Sequence, residues 1–381
     1  VTYQPKGVVG IIAPWNMPLY LSIGPLAAAL AAGNRAMIKL PEDTPESNQV
    51  IRTMIREVFD DSTVAIFGEE LIDPAEFSNL PFDHLIFIGS ARVAKTIMVA
   101  AAKNLTPLTL ELGGKSPAIV AEDYPIKDAA LRVAHGKVAM SGQICVAPDY
   151  ALVPRESIDT FSDAVVHEFN QFYPHGTVDS EEVCAVINDK QLDRVKALLA
   201  NAEAKGAKVT SATNWDGGRK VPLQIVTNVT DDMRIMKEGV FGPILPIVGY
   251  DNLDACIQDI QRRPKPLALY AFTKKPAVAN DILSRTQSGG ATINDWGWHV
   301  VNAAVPFGGV GASGFGSYHG VEGFRELSNA RPVFRRHPAF PTELFHPPVN
   351  QGPRGLFQNF WMKLYAGKGD PTLGGTPYGE Q

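Results

Sequence analysis

Apolar runs of strand length alternate with amphipathic stretches of helical length along most of this chain. Residues 7–13 are apolar without a break, which suits a strand buried on both faces, and 19–32 follow a helical pattern up to Gly33-Asn34. A second strand over 36–40 runs into the turn Pro41-Glu42-Asp43-Thr44-Pro45 and a further helix. Strand 83–88 meets a tight turn, Gly89-Ser90, and a helix from Ala91; strand 108–110 comes next. The pattern continues with helix 126–140, strand 150–153, helices 158–172 and 189–205, and strands near 223–226 and 244–248. Helix 253–261, strand 268–272, helix 277–285 and strand 290–293 complete it. Such alternation implies a largely parallel sheet in each of two halves, the second beginning near Gly113. No internal repeat is present.

Two regions depart from this rhythm. Residues 306–316 are too rich in glycine for helix or strand; they form either a flexible linker or, as the interleaved Phe307 and Phe315 suggest, an ordered loop beside a site. Beyond Pro332 the chain turns irregular and proline-rich. Leu356, Phe357, Phe360, Trp361 and Leu364 then recur at helical spacing with Lys363 alongside, a stripe suited to docking on its own protein or a partner subunit rather than a membrane surface. Residues 367–381 read as disordered. The apolar stretch 7–33 is broken by Pro14, Asn16, Pro18 and Pro25, so it is a strand, a turn and a core helix, not a membrane span, and it lacks the marks of a signal peptide.

Composition narrows the class without naming a chemistry. A chain of 381 residues with 45% hydrophobic and 20% charged residues has room for two ordinary domains. Its net charge of −5 argues against general nucleic-acid binding. Three cysteines, Cys145, Cys184 and Cys256, make neither a CxxC pair nor an even-numbered framework, which points to a reducing, cytoplasmic compartment and suggests no metal site.

Candidate chemistry gathers at strand ends. Cys145 follows a glycine-containing turn, Ser141-Gly142-Gln143-Ile144, and is either an inert buried thiol or a nucleophile. Asn16, at the carboxyl end of the first strand, either closes an Asx turn or donates its amide N–H to an oxyanion. Lys39 and Glu42 occupy either a solvated turn or the ligand-binding end of the second strand. The Gly89-Ser90 turn opens a helix, where free amides and the helix dipole suit a pyrophosphate, although it is no GxGxxG motif. Glu111, following an apolar strand, is either a surface carboxylate or a partly buried base of raised pKa.

Taken together, Pro14-Trp15-Asn16, Lys39 with Glu42, Gly89-Ser90, Glu111-Leu112-Gly113-Gly114-Lys115 and Gly142-Gln143-Ile144-Cys145 resemble the aldehyde dehydrogenase superfamily, in its order and at its spacings. Residues 145–150 and 306–314, with Tyr318-His319-Gly320, look most like its class 3 branch, coniferyl aldehyde dehydrogenases above all; the likeness runs from about Val8 to about Phe334. It implies an α/β fold, a Rossmann-like cofactor domain plus an α/β catalytic domain. The divisions are 1–112 for cofactor binding, 113–305 for catalysis, 306–335 for a glycine loop returning to the cofactor and oligomerisation region, and 336–381 for a tail.

The resemblance implies oxidation of an aromatic or medium-chain aldehyde. Cys145 would carry a thiohemiacetal and then a thioester, Asn16 and the Cys145 N–H would hold the oxyanion, and Glu111 would deprotonate the hydrolytic water. Trp15, Lys39, Glu42, Gly89, Ser90, Leu112, Gly113 and Phe241 match cofactor contacts; Glu42 should repel a 2′-phosphate, favouring NAD, although the branch also accepts NADP. The other readings are an acylating enzyme that passes the thioester to coenzyme A, which Glu111 opposes, and an impaired homologue serving as a binding or assembly module. Four departures stand out. Gly239 replaces the glutamate expected for the nicotinamide ribose, with Glu238 one place early; Met140 replaces an asparagine; Ala94 replaces a glycine; and roughly a hundred residues that normally precede the first matched strand are not in this sequence. A homodimer is expected where such a segment is present, doubtful stability where it is lacking, and weakened cofactor binding from Gly239.

Overall fold

Five parallel strands build the first sheet: β1 (Val8–Ile12), β2 (Arg35–Lys39), β3 (Val64–Phe67), β4 (His84–Gly89) and β5 (Leu108–Leu112). The second sheet takes β6 (Pro117–Val120), β7 (Tyr150–Pro154), β8 (Lys208–Ser211), β9 (Gln224–Thr227), β10 (Ile244–Tyr250), β11 (Ala268–Phe272) and β12 (Gly290–Ile293). A two-residue strand, β13 (Gly314–Phe315), returns to the first sheet and lies antiparallel to β5. This computed structural model describes residues 1–71, 74–339, 342–348 and 351–366. Two compact units result, Tyr3–Ala330, and Val1–Thr2 with Arg331–Gln381.

Strand order in the first sheet is β13-β5-β4-β1-β2-β3. The chain winds outward from β1 through β2 and β3, then restarts on the other side of β1 with β4, which creates a switch point between β1 and β4. Register aligns the carboxyl ends: Ile12 pairs with Lys39 and with Phe87, and Ile88 with Glu111. The segments following these strands, with Asn16, Gly89-Ser90 and the end of β5, are therefore delivered to one edge. Ile11, Ile38 and Ile86 in the strand centres are fully buried, as unbroken apolar strands require. Order in the second sheet is β12-β11-β6-β7-β10-β9-β8, parallel except for the β8–β9 pair.

Boundaries differ from the sequence reading in three informative places. The strand expected over 108–110 extends to Leu112, so Glu111 lies inside β5 and not after it. The helix expected over 126–140 ends at Val138, because Met140 and Ser141 adopt left-handed backbone (φ 49° and 54°). The glycine stretch 306–316 is ordered and contributes β13. Gly314 permits that pairing: with φ 121°, an added Cβ would lie 1.9 Å from the Leu110 carbonyl oxygen.

Within the smaller unit, the apolar stripe does form a helix, Gly352–Ala366, whose Phe357 ring packs 5.2 Å from Phe345 while Leu356 and Phe360 stay exposed. The disorder expected for 367–381 concerns residues outside those described. Among the described residues no helix is long and apolar enough to cross a membrane.

Candidate active site

A cleft of about 760 Å³ opens at the carboxyl edge of the first sheet, against the second sheet's loops. Of the residues singled out from sequence, Cys145, Asn16, Glu111, Trp15, Gly89, Ser90, Gly113 and Phe241 line it. Lys39, Glu42 and Leu112 do not. Leu112 is buried in β5; Lys39 is buried too, its ammonium held by the Glu42 carboxylate and the Leu40 carbonyl at 3.2 Å.

Backbone constraint sets the cysteine loop. The 3-10 turn Ala139–Gly142 carries the chain out of its helix through two consecutive left-handed residues, then a third at Gly142 (φ 70°). A side chain at 142 would approach the Gly242 carbonyl oxygen to 2.4 Å, so only glycine fits there. Asparagine tolerates left-handed backbone far better than methionine does, which gives the departure at Met140 a physical meaning: a local strain of about 1–3 kcal/mol. Gln143, buried, secures the strained loop. Its side-chain N–H groups donate to the carbonyls of Met140 (3.0 Å) and Ala185 (3.1 Å), while its oxygen accepts from the Ile187 N–H at 3.0 Å. Ser141 donates to the Cys184 carbonyl. The sequence motif marked Gln143 without showing this clamp, because two of its three partners lie more than forty residues away.

Asn16 donates one amide N–H to the Gln143 carbonyl at 3.0 Å, which ties the turn after β1 to the cysteine loop across 127 residues of chain. Cys145 keeps partial exposure to the cleft. Surrounding protein pushes its thiol well above the ordinary value, and the neighbouring Glu111 charge adds to this; N–H groups of Val146 and of Cys145 itself act in the opposite direction. Glu111 is 1% exposed, with neither carboxylate oxygen in a formed hydrogen bond. Burial raises it to about 7, and the thiol's proximity offsets a little of that rise. The Glu111 charge thus disfavours the thiolate, whereas the nearby thiol favours the ionised carboxylate.

Across the cleft, Trp15 and Phe241 meet edge to face with centroids 5.4 Å apart. Ser90 caps the helix Ala91–Ala102 by accepting from the Val93 N–H at 3.3 Å. An added Cβ at Gly113 would meet nothing within 4 Å, so the backbone there lies open to a ligand. An open glycine backbone, a helix N-terminus and an aromatic pair along one cleft fit a dinucleotide. Asp149, unremarked in the sequence as a site residue, organises the far wall: it accepts from the Val240 N–H at 2.8 Å and pairs with Lys115. Glu238 pairs with Arg234 at 2.8 Å, and Gly239 lines the cleft without a side chain.

The aldehyde dehydrogenase family model matches residues 1–333. A probable coniferyl aldehyde dehydrogenase of Pseudomonas aeruginosa is 44% identical over 363 residues, 95% of this chain and 76% of that protein. The substrate-bound state of Staphylococcus aureus AldH superposes with a TM-score of 0.86 at 37% identity, covering 94% of this chain and 78% of the other. An NAD+ complex of a Bacillus cereus aldehyde dehydrogenase gives 0.79 at 30% identity, over 86% and 68%.

Proposed function

Because the chain belongs to the aldehyde dehydrogenase family, we propose that it oxidises an aldehyde to the carboxylic acid through an acyl group carried on Cys145. The observation that carries this reading is the convergence, in one cleft, of a partly exposed thiol, a buried carboxyl poised near neutrality and the Asn16 amide. Cys145 attacks the carbonyl as thiolate, its proton given up to solvent. The oxyanion that forms accepts from the Asn16 amide and the Cys145 N–H, donors fixed before the substrate arrives. A nicotinamide dinucleotide, when bound, would supply the hydride acceptor. Trp15, Gly89, Ser90, Gly113 and Phe241 would hold it. Glu111, once it has released its proton to solvent, deprotonates the water that cleaves the thioester.

An aromatic aldehyde, coniferyl aldehyde included, is the favoured substrate class, after the name of the Pseudomonas aeruginosa relative, with medium-chain aliphatic aldehydes next. NAD is favoured over NADP on the match of Glu42 to the family's ribose contact, Glu42 itself lying outside the cleft lining and paired with Lys39. The test is NADH formation at about 340 nm over a panel of aromatic and aliphatic aldehydes, with and without coenzyme A. Free acid formed at the same rate in both supports the reading. An acyl-coenzyme A product, or no NADH from any aldehyde, sinks it.

Gly239 sets the cofactor affinity within this scheme. Glu238, one place earlier, lines the same cleft and pairs with Arg234 at 2.8 Å. A Cβ at 239 would have only the Gly114 carbonyl oxygen nearby, at 3.4 Å, and the position is exposed to the cleft. Gly239→Glu should therefore be accommodated and lower the apparent KM for NAD about tenfold, the worth of one charge-assisted hydrogen bond. An unchanged KM would refute this account of the position.

A further inference from the structure

Charge around the cleft is unevenly placed and does not cancel. The stretches 14–16 and 88–91 that line it carry no charged side chain. Later segments bring the charge, and there every exposed or half-buried acid has a partner. Asp149 pairs with Lys115, Asp231 with Arg263, Asp259 with both Arg262 and Arg263, and Glu238 with Arg234. Two bases are left over: Lys237 and Lys265 line the cleft, are exposed, and make no side-chain hydrogen bond or ion pair with any described residue. A lone surface lysine is ordinary. What marks these two is where they stand. A Cβ built at Gly114 would lie 3.1 Å from both Pro266 Cα and the Leu267 nitrogen, and one built at Gly239 would lie 3.4 Å from the Gly114 carbonyl oxygen. Lys265 directly precedes the first of these contacts and Lys237 stands two residues before the second. The pair therefore flanks the Gly113-Gly114 backbone, which lies open to a ligand. Lys265 is also held: its stem runs along the glycine loop, 3.4 Å from where a side chain at Gly311 would begin, and prolines 264 and 266 restrict the backbone on either side.

Resting on the aldehyde dehydrogenase reading, we propose that Lys237 and Lys265 are the cationic wall of the dinucleotide site, drawing in and holding its negatively charged diphosphate. The other groups assigned to the dinucleotide, Trp15, Gly89, Ser90, Gly113 and Phe241, are all uncharged, so the unpaired positive charge in the cleft comes from these two lysines. Neither ammonium is engaged elsewhere, and binding an anion breaks no ion pair inside the protein. The lysine at 265 meets the ligand already laid against the loop, which leaves less side-chain freedom to lose. With no side chain at Gly239 to hold the ribose, this attraction carries a larger share of the binding.

Lys237→Met and Lys265→Met keep the aliphatic stem, remove the charge and test this by binding alone. Quenching of tryptophan fluorescence by NAD reads Kd, with Trp15 in the cleft as reporter. At low ionic strength each variant should bind NAD about threefold more weakly and the double variant about tenfold, the worth of one and two exposed charge contacts. Those differences should shrink in about 0.5 M salt, where the Debye length falls to about 4 Å. NADP carries the same diphosphate and should lose as much. The melting temperature should hold, because neither ammonium is bonded within the protein. Parent and variants binding NAD equally at low salt, or a loss that salt leaves undiminished, overturns the assignment. A loss confined to NADP also overturns it, since the lysines would then hold the 2′-phosphate. Should the parent bind neither dinucleotide, the dehydrogenase reading falls as well; should it bind them and the variants match it, the cationic wall alone is refuted.

Discussion

Cys145→Ala should abolish NADH formation from every aldehyde, a loss of at least about a thousandfold, since the covalent route has no second nucleophile to fall back on. Neither remaining cysteine can take over. Cys256 is buried in the second sheet's core with its thiol pushed up to about 12, and Cys184 lies outside the residues lining the cleft. The fold should survive, because the side chain is small, partly exposed and makes no disulfide. The loop's geometry is instead set by Gly142, Gln143 and Asn16, all untouched by the change. Activity measured beside a thermal melt checks this. A folded variant that retains a tenth of the parental rate would show that the thiol is not the nucleophile.

What the sequence could and could not convey follows from the range of the forces involved. Strands such as Ala268–Phe272 and Gly290–Ile293, and the helix Ile158–Phe172, were readable because burial on one or both faces writes itself into local periodicity. β3 and β6 were missed: each is four residues long, and β6 opens on a proline. β8 is a short polar edge strand with no apolar signature at all. Glu111 was placed after its strand because a carboxylate reads locally as an end; only the ladder with Ile88 and Gly314 keeps it inside. The gathering of Asn16, Glu111 and Cys145 was legible through family spacing, not through physics, for contacts spanning 127 residues leave no periodic trace. The left-handed run at Met140 and Ser141 was equally hidden, as neither residue favours that backbone.

The charge of Glu111, acting on the neighbouring thiol, governs the last expectation. Glu111→Gln should lower kcat about 10²–10⁴-fold, the usual worth of a general base, while an NADH burst remains. The parental kcat should rise with pH through about 7, as the carboxyl ionises, and that limb should vanish in the variant. Thiol reactivity should move the opposite way. The Glu111 charge is the largest cause, after burial, of the raised Cys145 value, so removing it lets the thiolate form at lower pH and speeds alkylation by iodoacetamide at pH near 8. Stability gives an independent check of sign. Because burial raises Glu111 to about 7 in the folded state against an ordinary 4.5, the native state binds more protons between those limits, and stability declines as pH rises across them. Glutamine carries no such penalty, so at pH 8 the variant should melt no lower than its parent. A variant that loses turnover but alkylates more slowly would mean that Glu111 activates the thiol by proton removal more than it restrains it by charge.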